Sequence, residues 1–107
     1  MRVRLSAAAR ADLTDIGDWI ARDNRRRAGS YVEELLGRCR GLGRLPLRSP
    51  VVMALRSRPV RRAVHANHLI LYEIDDARME VIVLRVLHGA RDYEAVLTQE
   101  ADREALK

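Results

Sequence analysis

From Ala9 to Leu42 the apolar residues keep a helical period, and after Pro46 they adopt a strand-like one; that switch limits the folds open to the chain. Ala9, Leu13, Ile16 and Ile20 recur at intervals of 4, 3 and 4, which places them on one stripe of a helix. Asp12, Asp15 and Asp18 fall off that stripe. Ala28, Tyr31, Val32, Leu35, Leu36, Cys39 and Leu42 repeat the pattern more fully. Ser6 is placed to cap the first helix, because its hydroxyl can accept from an orphan amide. That helix should end near Asp23-Asn24. Gly41 and Gly43 weaken the last turn of the second helix, and Pro46 stops it. A link of only a few residues makes the two helices an antiparallel hairpin.

The strands lie on either side of this hairpin. Met1–Leu5 alternates Val3 and Leu5 with Arg2 and Arg4, a short strand signal. After the Pro46–Pro50 connector come Val51–Leu55, short and weakly paired, then Val60–His65 and His68–Ile74, joined by a tight turn at Ala66-Asn67. Asp75-Asp76-Ala77 turns the chain into a last strand, Glu80–Leu87. Leu69 to Tyr72 and Val81 to Leu84 are apolar on both parities. Strands of that kind are central and covered on both faces. The helices cover one face; the C-terminal tail or a partner must cover the other. The tail carries Tyr93, Val96, Leu97 and Ala101 at helical spacing, then turns mostly charged from Gln99 to Lys107 and is expected to fray. With so few strong apolar anchors, its loss should cost little packing. The expected architecture is α+β: an N-terminal strand, a two-helix hairpin packed on a small antiparallel sheet, and a partly helical tail.

With 107 residues the chain holds one domain. It has no Phe and one Trp, so an aliphatic core is expected. Lone Cys39 reads as a small buried hydrophobe, and a single thiol fits a reducing compartment. No apolar run approaches the length of a membrane span, and no apolar stretch follows the N-terminal arginines as in a secretory signal. A cytoplasmic protein without a membrane anchor is expected.

The net charge of +5 is unevenly placed. Residues 25–72 contain eleven arginines against Glu33 and Glu34, a net of +9, and residues 73–107 carry −4. No acid lies between Glu34 and Glu73. Such a block should meet an anionic partner: nucleic acid, a nucleoprotein machine or an acidic protein segment.

Few enzyme signatures are present. There is no glycine-rich phosphate loop and no G-x-S-x-G. His65 and His68 would need two more ligands to hold zinc, and only His88 and Cys39 remain. They read as exposed hairpin histidines, and no metal or cofactor is expected. Arg56, Arg58, Arg61, Arg62, Arg85 and Arg91 form either a solvated face or an anion-binding groove. Arg61 and Arg62 are neighbours on a strand and point to opposite faces, so at most one serves a given groove. Tyr31, Tyr72, Tyr93 and Trp19 mostly lie on apolar stripes, which argues against a base-stacking platform.

Taken in order, several segments resemble the ParE toxins of the ParE/RelE superfamily, over about residues 1–97. Leu5-Ser6, Ala8, Asp12, Leu13, Ile16 and Trp19-Ile20 resemble the family's first helix, with its acid-Leu-x-x-Ile. Ala28, Tyr31, Leu35, Cys39, Leu42 and Leu45-Pro46 resemble the second helix and its Leu-x-x-x-Pro exit. Leu69–Ile74 resembles a strand written apolar-x-Tyr-x-apolar. Val83-Leu84-Arg85-Val86-Leu87-His88-Gly89-Ala90-Arg91-Asp92 is the most specific match. The resemblance implies a toxin domain at 1–97 followed by a charged tail at 98–107.

It also implies a type II toxin–antitoxin module, in which a ParD-like antitoxin with an acidic C-terminal segment folds against the toxin. Within this fold, ParE-like members arrest growth by poisoning DNA gyrase, without hydrolysis of their own. RelE-like members are ribosome-dependent endoribonucleases. The ParE-like role is the expectation, with no catalytic residue; an inactive toxin fold and a basic nucleic-acid-binding protein are further alternatives. Under the RelE-like alternative, Arg62, His88 and Arg91 are the catalytic candidates. His88 otherwise reads as a loop hydrogen-bonding residue. Antitoxin- or target-binding candidates are Trp19, Tyr31, Arg56, Arg58, Arg61, Arg62, Arg85, Arg91 and Tyr93.

Overall fold

A computed structural model describes residues 1–105, with side chains described through Arg103. Positions 106 and 107 of the expected charged tail lie outside the described residues. The elements run β1 (Arg2–Leu5), α1 (Ala7–Ala21), α2 (Arg25–Gly41), β2 (Val51–Leu55), β3 (Arg58–His65), β4 (His68–Asp75), β5 (Glu80–His88) and α3 (Tyr93–Ala105).

Local chemistry sets the helix starts. Ser6 caps α1, its hydroxyl accepting from Ala9 N at 3.0 Å and donating to Leu84 O at 2.8 Å. Asn24 caps α2 by accepting from Arg27 N at 3.0 Å. Only Arg22, Asp23 and Asn24 separate the helices, so they pack as the expected hairpin. At Gly17 an added Cβ would lie 3.3 Å from Val32 Cγ2, so the helices are close there. Gly43 is fixed by a tighter approach: a Cβ would collide with the Met1 carbonyl, and the Met1 ammonium donates to Gly43 O at 2.9 Å.

The five strands form one sheet in the order β1-β5-β4-β3-β2. The β2–β3, β3–β4 and β4–β5 pairs are antiparallel, but β1 runs parallel to β5. The run of antiparallel strands is as expected, and the parallel β1 edge is a detail that the sequence did not show. A four-residue alternating segment shows which side chains share a face, not the direction of its neighbour. β2 is an edge strand with a bulge between Val51 and Met53, in keeping with the weak pairing expected of it.

A second bulge shapes the molecule more. Tyr72 pairs with Val83, yet the preceding Leu71 pairs with Arg85, which leaves Leu84 as an extra residue in β5. The bulge shifts face parity. Val81, Val83 and Val86 therefore all join the core under the helix hairpin, with Leu35, Cys39, Ile70 and Tyr72. Leu87 faces the other way, with Val60, Leu71 and Leu97. Two-sided apolarity was the correct reading of these strands, and α3 is the cover for the second face.

Two expectations change. The core is not wholly aliphatic: Tyr72 is fully buried, with its hydroxyl donating to Pro46 O at 2.6 Å. The tail is not weakly anchored. Leu97 is 2% exposed at the centre of the second cluster, and α3 continues past it to Ala105. Truncating a side chain buried in this way costs about 2–5 kcal/mol. Among the described residues no helix is long and apolar enough to cross a membrane.

Candidate functional site

A cavity of about 800 Å³ lies between the helix hairpin and the far end of β5. Helix α1 supplies Ile16 and Ile20 from its apolar stripe and Trp19 from beside it; α2 supplies Arg27 and Tyr31; the β3–β4 turn, β4 and β5 supply Asn67, His68 and His88; Arg91 follows on the next loop. Trp19 is 69% exposed, with the Arg22 guanidinium 5.0 Å above its ring. A monomer gains nothing from an indole in water, so Trp19 is the strongest mark of a contact surface here.

The floor is polar but internally matched. Tyr31 is buried, and its O–H donates to His68 Nδ1 at 2.6 Å. Burial raises the Tyr31 pKa and keeps the hydroxyl protonated. Burial also lowers the His68 pKa, helped by the neighbouring His88 and His65, so the ring stays neutral and accepts. The His88 ring meets His68 edge-on at 5.7 Å. His65, expected to be exposed, is half-buried and lies 3.4 Å from Glu34. Arg27 bonds Glu34 and sits 5.1 Å from the Tyr31 ring. Its hydrogen bond, ahead of its charge, lowers the Glu34 pKa.

The arginines singled out from sequence do not form one groove. Arg85 bridges the two layers. Its Nε and Nη2 donate to the Asp12 carboxylate at 2.7 Å each, and its Nη1 bonds Glu100 of α3. Arg61 donates to Leu47 O at 3.1 Å and Ser49 O at 2.6 Å, and so pins the connector. Arg56 donates to Ala101 O at 2.5 Å, and Arg58 lies 3.4 Å from Glu73. Arg62 opposes Leu71 while Arg61 opposes Tyr72, so the two point to opposite faces as expected. Tyr93 is half-buried against the second core cluster. Of the nine binding candidates, only Trp19, Tyr31 and Arg91 line the main cavity.

The catalytic alternative fares similarly. His88 and Arg91 share this cavity, but Arg62 lines a separate one. His88 Nδ1 accepts from Ala90 N at 3.1 Å, the loop bond expected of it. Among the described residues no three His, Cys, Asp or Glu side chains gather as a metal-ligand set.

Asp12 is the residue that sequence reasoning missed. It is 7% exposed, and besides Arg85 it accepts from Val86 N at 2.9 Å. The β1–β5 pairing ends at Leu5 and Val83. Beyond that point β5 has an open edge, and Asp12 supplies the acceptor a neighbouring strand would have supplied. A single arginine on a buried strand was the available signal that some acid must be buried with it.

A family model for the ParE toxin of type II toxin–antitoxin systems matches residues 3–93. The chain belongs to the ParE toxin family. Among solved structures, this ParE-family protein is similar to a chain of the RelBE2 toxin–antitoxin complex from Mycobacterium tuberculosis. The identity there is 30%, with 84% of this chain and 92% of that one covered and a TM-score of 0.57. It also shares its fold with a chain of the chromosomal ParDE system from P. aeruginosa, at 16% identity, with 82% and 95% covered and a TM-score of 0.69. None of the curated proteins compared with it matches significantly. The protein is thus a toxin of the ParE/RelE superfamily of type II toxin–antitoxin systems.

Proposed function

We propose that this toxin arrests growth by poisoning DNA gyrase, and that a ParD-like antitoxin neutralises it by laying its C-terminal segment in the Trp19–Tyr31–Arg91 cavity. The observation that carries the binding reading is the exposed Trp19 beside a large cavity with apolar walls, lined also by Arg91 and by the Glu34-paired Arg27. An amphipathic acidic segment suits such a groove: apolar side chains cover Ile16, Trp19 and Ile20, and a carboxylate meets the Arg91 guanidinium. A disordered segment would be ordered in the process, at an entropic cost offset by that burial.

What supports gyrase over RNA cleavage is the dispersal of the groups that cleavage requires. A base, an acid and cations must converge on one phosphate. Here Arg62 sits in another cavity, Arg85 is neutralised by Asp12 and Glu100, and His88 is bonded within its loop. The RelE-like reading is favoured by one finding, the 30% identity to a chain of the RelBE2 complex.

Two experiments test these readings. Trp19→Ala should weaken the complex with the protein encoded beside the toxin about 30-fold, the loss expected of a tryptophan anchor near 2 kcal/mol. Unchanged affinity would place the antitoxin elsewhere. Expression in cells should induce DNA-damage signalling and filamentation with transcripts intact; rapid cleavage of translated messages would favour the RelE-like role, with His88 and Arg91 as first suspects.

A further inference from the structure

We infer that a second cavity, between the C-terminal end of α2, the connector and β3, binds the phosphodiester backbone of a nucleic acid. The site is distinct from the antitoxin groove and independent of which target the toxin poisons. The cavity measures about 720 Å³ and is lined by Arg38, Arg44, Arg48 and Arg62, with no acid among its lining residues. The antitoxin groove, by contrast, mixes Asp12 and Asp15 with its arginines.

Three observations carry the inference. First, Arg38, Arg44, Arg48 and Arg62 take part in none of the ion pairs among the described residues, whereas Arg4, Arg27, Arg58, Arg78 and Arg85 all do. The negative end of the α2 dipole accounts for a cation at Arg38 but not for those at Arg44, Arg48 or Arg62. Second, Arg62 Nε is buried with no hydrogen-bond partner among the described residues. A buried guanidinium donor without an acceptor is costly, and a shift of the Arg62 side chain onto an anion in the cavity would relieve it. Third, the connector that carries Arg44 and Arg48 is held in place: Arg61 grips Leu47 O and Ser49 O, and Arg62 N donates to Pro50 O at 3.1 Å. The backbone that carries these cations is thus held before any ligand arrives, which lowers the cost of binding.

Four like charges held together without counter-charges repel one another, and they match a partner that repeats one anion at regular spacing. Arginine forks fit phosphate oxygens two at a time. A nucleic-acid backbone supplies such a row without needing an apolar pocket; an acidic peptide segment is better served by the Trp19 groove.

The experiment is fluorescence anisotropy of the refolded full-length toxin with a labelled 20-base-pair DNA duplex and a 20-nucleotide RNA strand, across a salt series. Four phosphate contacts to duplex give log K against log salt a slope of about −3.6. Arg38→Gln/Arg44→Gln/Arg48→Gln should reduce that slope by about 2.7 and weaken binding at least tenfold at about 0.1 M salt. Arg22→Gln/Arg25→Gln/Arg26→Gln, with the same charge change at the other end of the hairpin, should leave the slope near wild type, as should Trp19→Ala. Should the triple variant not fold, Arg44→Gln and Arg48→Gln singly should each remove about 0.9 from the slope. Comparison of the duplex and RNA arms identifies which strand form is preferred. Equal losses in the two triple variants, or tighter binding of poly-glutamate than of either nucleic acid, would overturn the assignment. Loss of nucleic-acid binding by Trp19→Ala alone would merge the site with the antitoxin groove and equally overturn it.

Discussion

Replacing Asp12 by Ala should be among the most damaging single changes in the protein, although Asp12 lies off the apolar stripe of α1. Its carboxylate makes three short bonds, two from Arg85 at 2.7 Å and one from Val86 N at 2.9 Å. The Asp12 and Arg85 side chains are only 9% and 14% exposed. Removing one partner of a buried ion pair costs about 3–5 kcal/mol, because the other charge is left without compensation. The orphaned Val86 N–H adds about 1–3 kcal/mol. Glu100 still bonds Arg85 and offsets part of this, which places the expected loss near the low end, about 3–4 kcal/mol. A domain with about 5–15 kcal/mol of stability survives that loss with little margin. Urea unfolding followed by far-ultraviolet circular dichroism measures it directly. With an m-value of about 2 kcal/mol per molar, the midpoint should fall by about 1.5–2 M. Asp12→Leu with Arg85→Met should recover part of the loss, since no guanidinium is left buried without a carboxylate; Glu100 is exposed enough to turn to water, but Val86 N–H stays unpaired. A cost below about 1 kcal/mol for Asp12→Ala, or strict additivity with Arg85→Met, would refute the reasoning.

Other measurements probe separate parts of the structure. The folded state lowers the His68 pKa through burial and the nearby His88 and His65, with Tyr31 donating to the neutral ring. The unfolded chain therefore binds the proton more readily, so this contribution is complete above about pH 6.5 and is lost as pH falls below it. Urea midpoints taken from pH 7.5 to 5 should fall, and His68→Gln should flatten that dependence; a parallel curve for the variant would contradict it. The β2–β3 turn places Arg56 and Ser57 at φ of 51° and 67°, a conformation that favours glycine. Ser57→Gly should raise stability by about 1 kcal/mol in thermal unfolding, and a loss would show that the turn is not strained. Burial pushes the Cys39 thiol up to about 11. Alkylation at pH 8 should therefore proceed only through unfolding, and fast labelling of the native protein would count against the packing described.

Much of this fold was legible because its elements alternate between two clear periods. The stripes Ala9–Ile20 and Ala28–Leu42 could only be helices, and the apolar runs at Leu69 and Val81 could only be covered strands. The bulge at Leu84 was not legible, because a strand apolar on both parities gives no signal when its register slips. The direction of β1 was hidden for a related reason, since alternation is the same in either sense. For the site, the binding candidates read from sequence included Trp19, Tyr31 and Arg91, which line one cavity, but grouped them with arginines that are internally engaged. A charge count reveals that acids are missing from residues 35–72, not which cations find carbonyls, acids or no partner in the fold. Arg38, Arg44 and Arg48 went unselected for that reason, as did Asp12, which in sequence looks like Asp15 and Asp18.

The claim that this ParE-family toxin acts on DNA gyrase is tested most directly with purified components. The refolded toxin should inhibit gyrase-catalysed supercoiling and accumulate cleaved DNA, and equimolar antitoxin should reverse both. Unaffected supercoiling, together with cleavage of messenger RNA on translating ribosomes, would contradict it.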